Sequence, residues 1–164
     1  MKELKLKKIA LALVALVIAT PAMAADFTGP RVEVTAGVDD FRNVRDFNDV
    51  TYGVAVGLDT TAITDKVIVG VEASVDNVFN KQREIAGSVR LGYVVAPNVL
   101  VYGKAGYANL SDAFAGKNLD GVRVGGGLEI ALTDNIYTGA EYRYSDLSNN
   151  VGKHQGLVKI GFRF

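Results

Sequence analysis

The 164-residue chain has no cysteine and a single histidine. The first absence removes any disulfide framework and any thiolate metal site. The second leaves His154 as the only imidazole on which acid–base or nucleophilic chemistry could be built. An excess of positive charge is also missing: 18 Lys and Arg stand against 18 Asp and Glu, so the basic footprint of a nucleic-acid-binding protein is absent. Long apolar runs are missing too. The unbroken stretch from Ile9 to Ala19 counts 11 residues, about half of the ~20 that a membrane-spanning helix requires. A polytopic helical membrane protein is thereby excluded.

What surrounds that short run gives it meaning. Lys2, Lys5, Lys7 and Lys8 precede it, and Thr20-Pro21-Ala22-Met23-Ala24 follows. A basic start, a short apolar centre and a small-x-small ending are the parts of a cleavable export signal. The expectation is a signal peptide over 1–24, cut after Ala24, and one domain over 25–164. Without the four lysines and one glutamate of the leader, 14 bases and 17 acids remain, a net charge of −3.

The remainder alternates. Turn signals divide it into eight segments near 31–39, 49–59, 66–76, 84–95, 99–109, 121–132, 136–146 and 154–164. A strand has period two, so each segment sends one row of side chains to each face. One row is apolar, as in Val67, Val69, Val71, Ala73 and Val75, or Val158, Ile160, Phe162 and Phe164. The other holds glycine and charge: Arg31, Lys66, Arg90, Lys104, Arg123, Arg143, Lys159 and Arg163, against Glu33, Asp39, Asp59, Glu72, Asp76, Glu84, Glu129 and Glu141. Connections alternate as well. Thr60 to Asp65, Ala96-Pro97-Asn98 and Thr133-Asp134-Asn135 are short turns, while longer polar loops run from Asp40 to Asn48, Asn77 to Arg83, Ser111 to Asp120 and Asp146 to Lys153.

Alternation alone does not say which row faces out. A soluble lipocalin-like barrel would put the apolar row inside. Three features oppose that arrangement. The polar row is poor in bulk, as a narrow lumen demands. Tyrosine and phenylalanine cluster at the strand ends of the apolar row, with Tyr52, Tyr107, Tyr142 and Tyr144 at the loop end and Tyr93, Phe162 and Phe164 at the turn end. Such girdles mark the two interfaces of a bilayer. The export signal has no role in the inverted arrangement. The fold expected is an all-β, eight-stranded, antiparallel up-and-down transmembrane barrel.

Eight strands leave a lumen just wide enough for side chains to fill. Buried charges need partners, and Glu72, Arg90, Lys104, Glu129, Glu141 and Arg143 lie near mid-strand, placed for a connected ion network. The inward glycines leave room for internal water, which keeps a narrow pore as the alternative.

Several segments carry a family resemblance: Leu100-Val101-Tyr102-Gly103-Lys104-Ala105-Gly106-Tyr107, Gly125-Gly126-Gly127-Leu128-Glu129, Leu132-Thr133-Asp134-Asn135, Glu141-Tyr142-Arg143-Tyr144 and Gly161-Phe162-Arg163-Phe164. With them the chain resembles the small eight-stranded outer-membrane proteins, namely the transmembrane domain of outer membrane protein A, outer membrane protein X and the opacity-type porin family. The resemblance implies location in the outer membrane of a Gram-negative cell, with turns facing the periplasm. It also implies contact with outer-membrane lipid and lipopolysaccharide, and recognition of Phe164 by the assembly machinery. The peptidoglycan-binding domain of full-length outer membrane protein A has no counterpart here, so no wall-tethering role carries over.

Some barrels of this size modify lipid A, using a His and a Ser nucleophile. His154 is followed by Gln155 and Gly156, with Ser145 and Ser148 near in sequence, and a solvated loop histidine is the better reading. Gly125-Gly126-Gly127 is no phosphate loop, because a strand continues through it and no Lys-Ser/Thr follows. Asp39-Asp40 lacks the spacing of a calcium loop. No catalytic residue, cofactor or metal is assigned. The loops carry what signal remains: Phe41, Arg42, Arg45, Phe47, Phe79, Lys81, Arg83, Phe114, Lys117 and Lys153. Their bases suit lipopolysaccharide phosphates, and aromatics beside arginine suit a host or surface protein. A structural or surface-interaction barrel is the leading expectation, and a small non-specific channel the runner-up.

Overall fold

A computed structural model describes residues 26–41, 48–77, 82–112, 117–148 and 151–164. Eight strands follow one another: β1 (Gly29–Phe41), β2 (Asn48–Ala62), β3 (Thr64–Asp76), β4 (Gln82–Ala96), β5 (Val99–Asp112), β6 (Lys117–Ala131), β7 (Ile136–Leu147) and β8 (Val151–Arg163). Each pairs antiparallel with the next, and β8 returns to β1, closing the sheet. The closing ladder runs from Arg31 opposite Arg163 to Phe41 opposite Lys153. Closure leaves no unpaired sheet edge, which a bilayer would not tolerate.

The strands are longer than the alternating segments predict, and they consume part of the expected loops. The turn expected over Thr60 to Asp65 shrinks to Ile63, flanked by a register shift between Thr61 and Ala62. Ile63 takes a φ of 61° and is fully exposed. At the next turn but one, the Thr133 hydroxyl accepts the backbone N–H of Ile136 at 2.9 Å. That bond fixes the reversal from β6 into β7.

Burial is inverted relative to a water-soluble protein. Among the described residues the buried side chains are 22 polar or charged against 12 apolar ones, while Val34, Val56, Val71, Val89, Leu91, Val122 and Ile160 lie open on the outside. The apolar rows point out on all eight strands, as the sequence pattern predicts. A continuous apolar band therefore encircles the barrel and needs a solvent as apolar as itself.

Candidate functional site

Inside the barrel, eight acids and eight bases are buried: Glu33, Asp39, Asp59, Glu72, Asp76, Glu84, Glu129 and Glu141, with Arg31, Arg90, Lys104, Arg123, Arg143, Lys153, Lys159 and Arg163. Contacts join all sixteen into one network. At the turn end, Arg31 meets Glu33 at 3.0 Å, Asp59 at 2.9 Å and Glu72 at 2.8 Å. Arg90 reaches Asp59 at 3.1 Å and Glu129 at 2.6 Å. Glu129 also accepts from Lys159 at 2.8 Å and from Arg163 at 3.2 Å. In the middle, Lys104 bridges Glu72 at 2.7 Å and Glu141 at 2.6 Å, and Arg143 joins Glu141 to Asp76. Toward the loops, Arg123 touches Glu84 and Asp76. There Lys153 holds Glu84 and Asp39, both at 2.8 Å.

All six residues expected to form an ion network, Glu72, Arg90, Lys104, Glu129, Glu141 and Arg143, are therefore members of it. Two other expectations are corrected. Lys66 lies in the inward phase of β3 but is exposed at the turn end, beyond the point where the lumen closes. Lys153, expected among the loop bases, is buried, because β8 begins three residues earlier than the alternation suggests. The balance of eight against eight survives the exchange.

The inward glycines do not leave water-sized space in the way expected. A Cβ on Gly57 would lie 2.7 Å from the Arg31 guanidinium, and one on Gly161 would strike the Tyr137 ring. Small residues here are the imprints of large neighbours on the adjacent strand, Arg31 being paired with Gly57 and Tyr137 with Gly161. Two such neighbours, Tyr102 and Tyr137, were not among the expected site residues, although both fall in the inward phase of their strands. Tyr137 donates to Glu33 at 2.8 Å and Tyr102 donates to Glu141. Lys159 sits 4.6 Å from the Tyr102 ring centre, and Arg163 sits 4.8 Å from that of Tyr137, within cation–π range. Apolar side chains close the turn end, where Phe27, Ile68 and Leu100 pack together.

A charged, packed interior inside an apolar belt is the architecture of one kind of protein, and sequence comparison names it. The family model of the outer membrane protein beta-barrel domain matches residues 9–164. The chain belongs to this family. It is an integral barrel of the outer membrane.

Solved outer-membrane barrels share the fold. Neisserial surface protein A is 15% identical, with 84% of this chain and 98% of that one covered and a TM-score of 0.58. The attachment invasion locus protein Ail of Yersinia pestis, in complex with the heparin analogue sucrose octasulfate, is 16% identical, covering 83% and 99%, with a TM-score of 0.55. The outer membrane enzyme PagL is 12% identical, covering 80% and 99%, with a TM-score of 0.51. No curated protein matches by sequence.

The aromatic rows of this outer-membrane barrel lie where two bilayer interfaces would be. Tyr107 and Tyr142 are exposed and Tyr52 and Tyr144 half-buried at the loop end, while Tyr93, Phe162 and Phe164 are exposed at the turn end. Phe162 and Phe164 meet edge to face, with ring centres 5.0 Å apart. His154 belongs to the loop-end row and is not a loop histidine. It stands in the β8 ladder opposite Tyr144, with ring centres 4.8 Å apart, and its Nδ1 shares a hydrogen bond with the Tyr142 hydroxyl at 2.5 Å. Of the expected loop contacts, Arg83 is exposed near the loop-end start of β4. Phe41 ends β1 and Lys117 begins β6, but their side chains, with Arg42, Arg45, Phe47, Phe79, Lys81 and Phe114, lie outside the described residues.

Proposed function

We propose that this protein is a non-conducting outer-membrane barrel that acts through its outer surface, as a rigid support for extracellular loops that engage lipopolysaccharide and surface molecules. One observation carries the reading: sixteen buried charges cross-link the lumen into a single network. A permeation path would have to part several pairs at once. Removing one partner from a buried pair costs about 3–5 kcal/mol, so spontaneous opening of several is rare. The runner-up, a small non-specific channel, loses its physical basis on the same ground.

The bases Arg42, Arg45, Lys81, Arg83 and Lys117 suit the phosphate groups of the outer leaflet. The complex of Ail with a sulfated sugar analogue supports polyanion contact as a use to which such a barrel can be put. Phe41, Phe47, Phe79 and Phe114 beside these bases would anchor a host or surface protein. Among the described residues the enzymatic alternative finds no serine partnered with His154. Ser145 faces the lumen, where it accepts from Arg123 at 3.2 Å. His154 lies on the opposite face of the sheet, between tyrosines. On this reading the leader 1–24 is removed after Ala24, and Phe164 serves the assembly machinery as its recognition residue.

Voltage-clamped planar bilayers test the central claim. The refolded mature protein should give a flat baseline under applied voltage. Reproducible unitary current steps would overturn the proposal and restore the channel.

A further inference from the structure

The described chain begins with three residues that precede the ladder: Asp26, Phe27 and Thr28. They do not run straight on from β1. Gly29 adopts a φ of +103°, which turns the strap, and a Cβ there would meet the terminal Phe164 carbonyl at 2.6 Å. The Thr28 N–H and hydroxyl both donate to the Asp26 carboxylate, at 2.9 and 2.6 Å. Between these two polar residues the Phe27 ring enters the barrel mouth and is only 2% exposed. There it packs on Ile68 and Leu100, with Val94 and Ala131 around them. Immediately above is Arg163, whose guanidinium lies 5.5 Å from the Phe27 ring centre and pairs with Asp59 and Glu129 at 3.2 Å.

We infer that Phe27 is a stopper for the periplasmic mouth, carried on the strap 26–28, which keeps periplasmic water and solutes off the lowest layer of the ion network. The chemistry of the contact supports this role. An aromatic ring is the largest apolar area that one residue can supply, and Ile68 and Leu100 are the apolar seat it needs. Ion pairs attract more strongly where water is excluded, so a seal directly beneath Arg163, Asp59 and Glu129 strengthens the pairs that close the barrel. The strap itself lies outside the ladder. The closure therefore depends on one side chain and on the local turn that presents it.

The cysteine-free chain makes a clean test possible, because a single introduced thiol reports its own position. Leu100→Cys places that thiol at a side chain directly behind the ring. The mature protein, refolded in detergent, is treated with a water-soluble, bulky maleimide, and folding is checked by its electrophoretic mobility with and without heating. With Phe27 present the thiol should react slowly. Phe27→Ala should speed labelling roughly tenfold or more, and Phe27→Leu should leave it slow, since an apolar stopper is kept. Fast labelling with Phe27 intact, or labelling that Phe27→Ala leaves unchanged, would overturn the inference. Should Phe27→Ala not fold, Asp26→Cys and Leu100→Cys, each with Phe27 intact, decide instead. The first should react at the rate of an exposed thiol and the second far more slowly, and equal rates would remove the stopper.

Discussion

At the scale of single residues, the lumen is held by carboxylates that, Asp39 apart, serve more than one cation each. Glu129 is the extreme case: it is completely buried and meets Arg90, Lys159 and Arg163. Its charge offsets three bases, so neutralising it leaves them under-compensated where water cannot help. Glu129→Gln, which keeps shape and removes charge, should lower the unfolding free energy by about 3–5 kcal/mol. Equilibrium denaturation in lipid vesicles measures it. A loss smaller than about 1 kcal/mol would mean that the interior is hydrated, in line with the worth of exposed pairs. The sequence identifies Glu129 as inward by phase alone, but not its partners. Arg90 and Lys159 come from β4 and β8, and which residues meet across a lumen depends on stagger between strands far apart in sequence. Phe27 is less legible still, because one aromatic before a strand carries no periodic signal.

At the scale of the strand, legibility is high because a single physical rule assigns every position. Once the apolar phase is read, all eight strands follow it, and so do the girdles at their ends. The misreadings fall where strands begin and stop. Lys153 became a loop residue in the sequence because the alternation fades at Gly152, while the ladder runs on to Val151. His154 opens the expected segment, and its reading as a solvated histidine fails because Tyr142 and Tyr144 of β7 stand beside it. Lys66 shows the opposite error, since the phase continues past the point where the lumen ends. The rule also makes a graded prediction along β4. Val89 stands at the middle of the strand and is 61% exposed to the surroundings. Val89→Arg should cost about 2–4 kcal/mol, and Ile85→Arg, nearer the loop-end interface, about 0–1 kcal/mol. Folding titrations in phospholipid vesicles compare the two. Equal penalties at both positions would contradict a bilayer centred on mid-strand.

At the scale of the whole molecule, stability and recognition are assigned to different parts of the chain. The ladders, the sixteen-membered ion network and the apolar cluster at the turn end all lie within 26–41, 48–77, 82–112, 117–148 and 151–164. The residues most suited to contact, Arg42, Arg45, Phe47, Phe79, Lys81 and Phe114, lie between those segments. Long surface loops contribute little to the free energy of a closed scaffold, and loop length changes closure entropy only slowly. Replacing 42–47, 78–81 and 113–116 together by short Asn-Gly turns should therefore leave the barrel folded, with its heat-dependent mobility shift and β-type circular dichroism intact. The same protein should lose binding to lipopolysaccharide-coated or host-cell surfaces, because the cationic and aromatic anchors go with the loops. Binding is read by comparing vesicles or cells exposed to the parent and to the loop-replaced protein at matched surface density. If the folded, loop-replaced protein binds as the parent does, contact comes from the barrel wall. The exposed Tyr142 and its neighbours His154 and Tyr144 at the outer rim would then be the place to look.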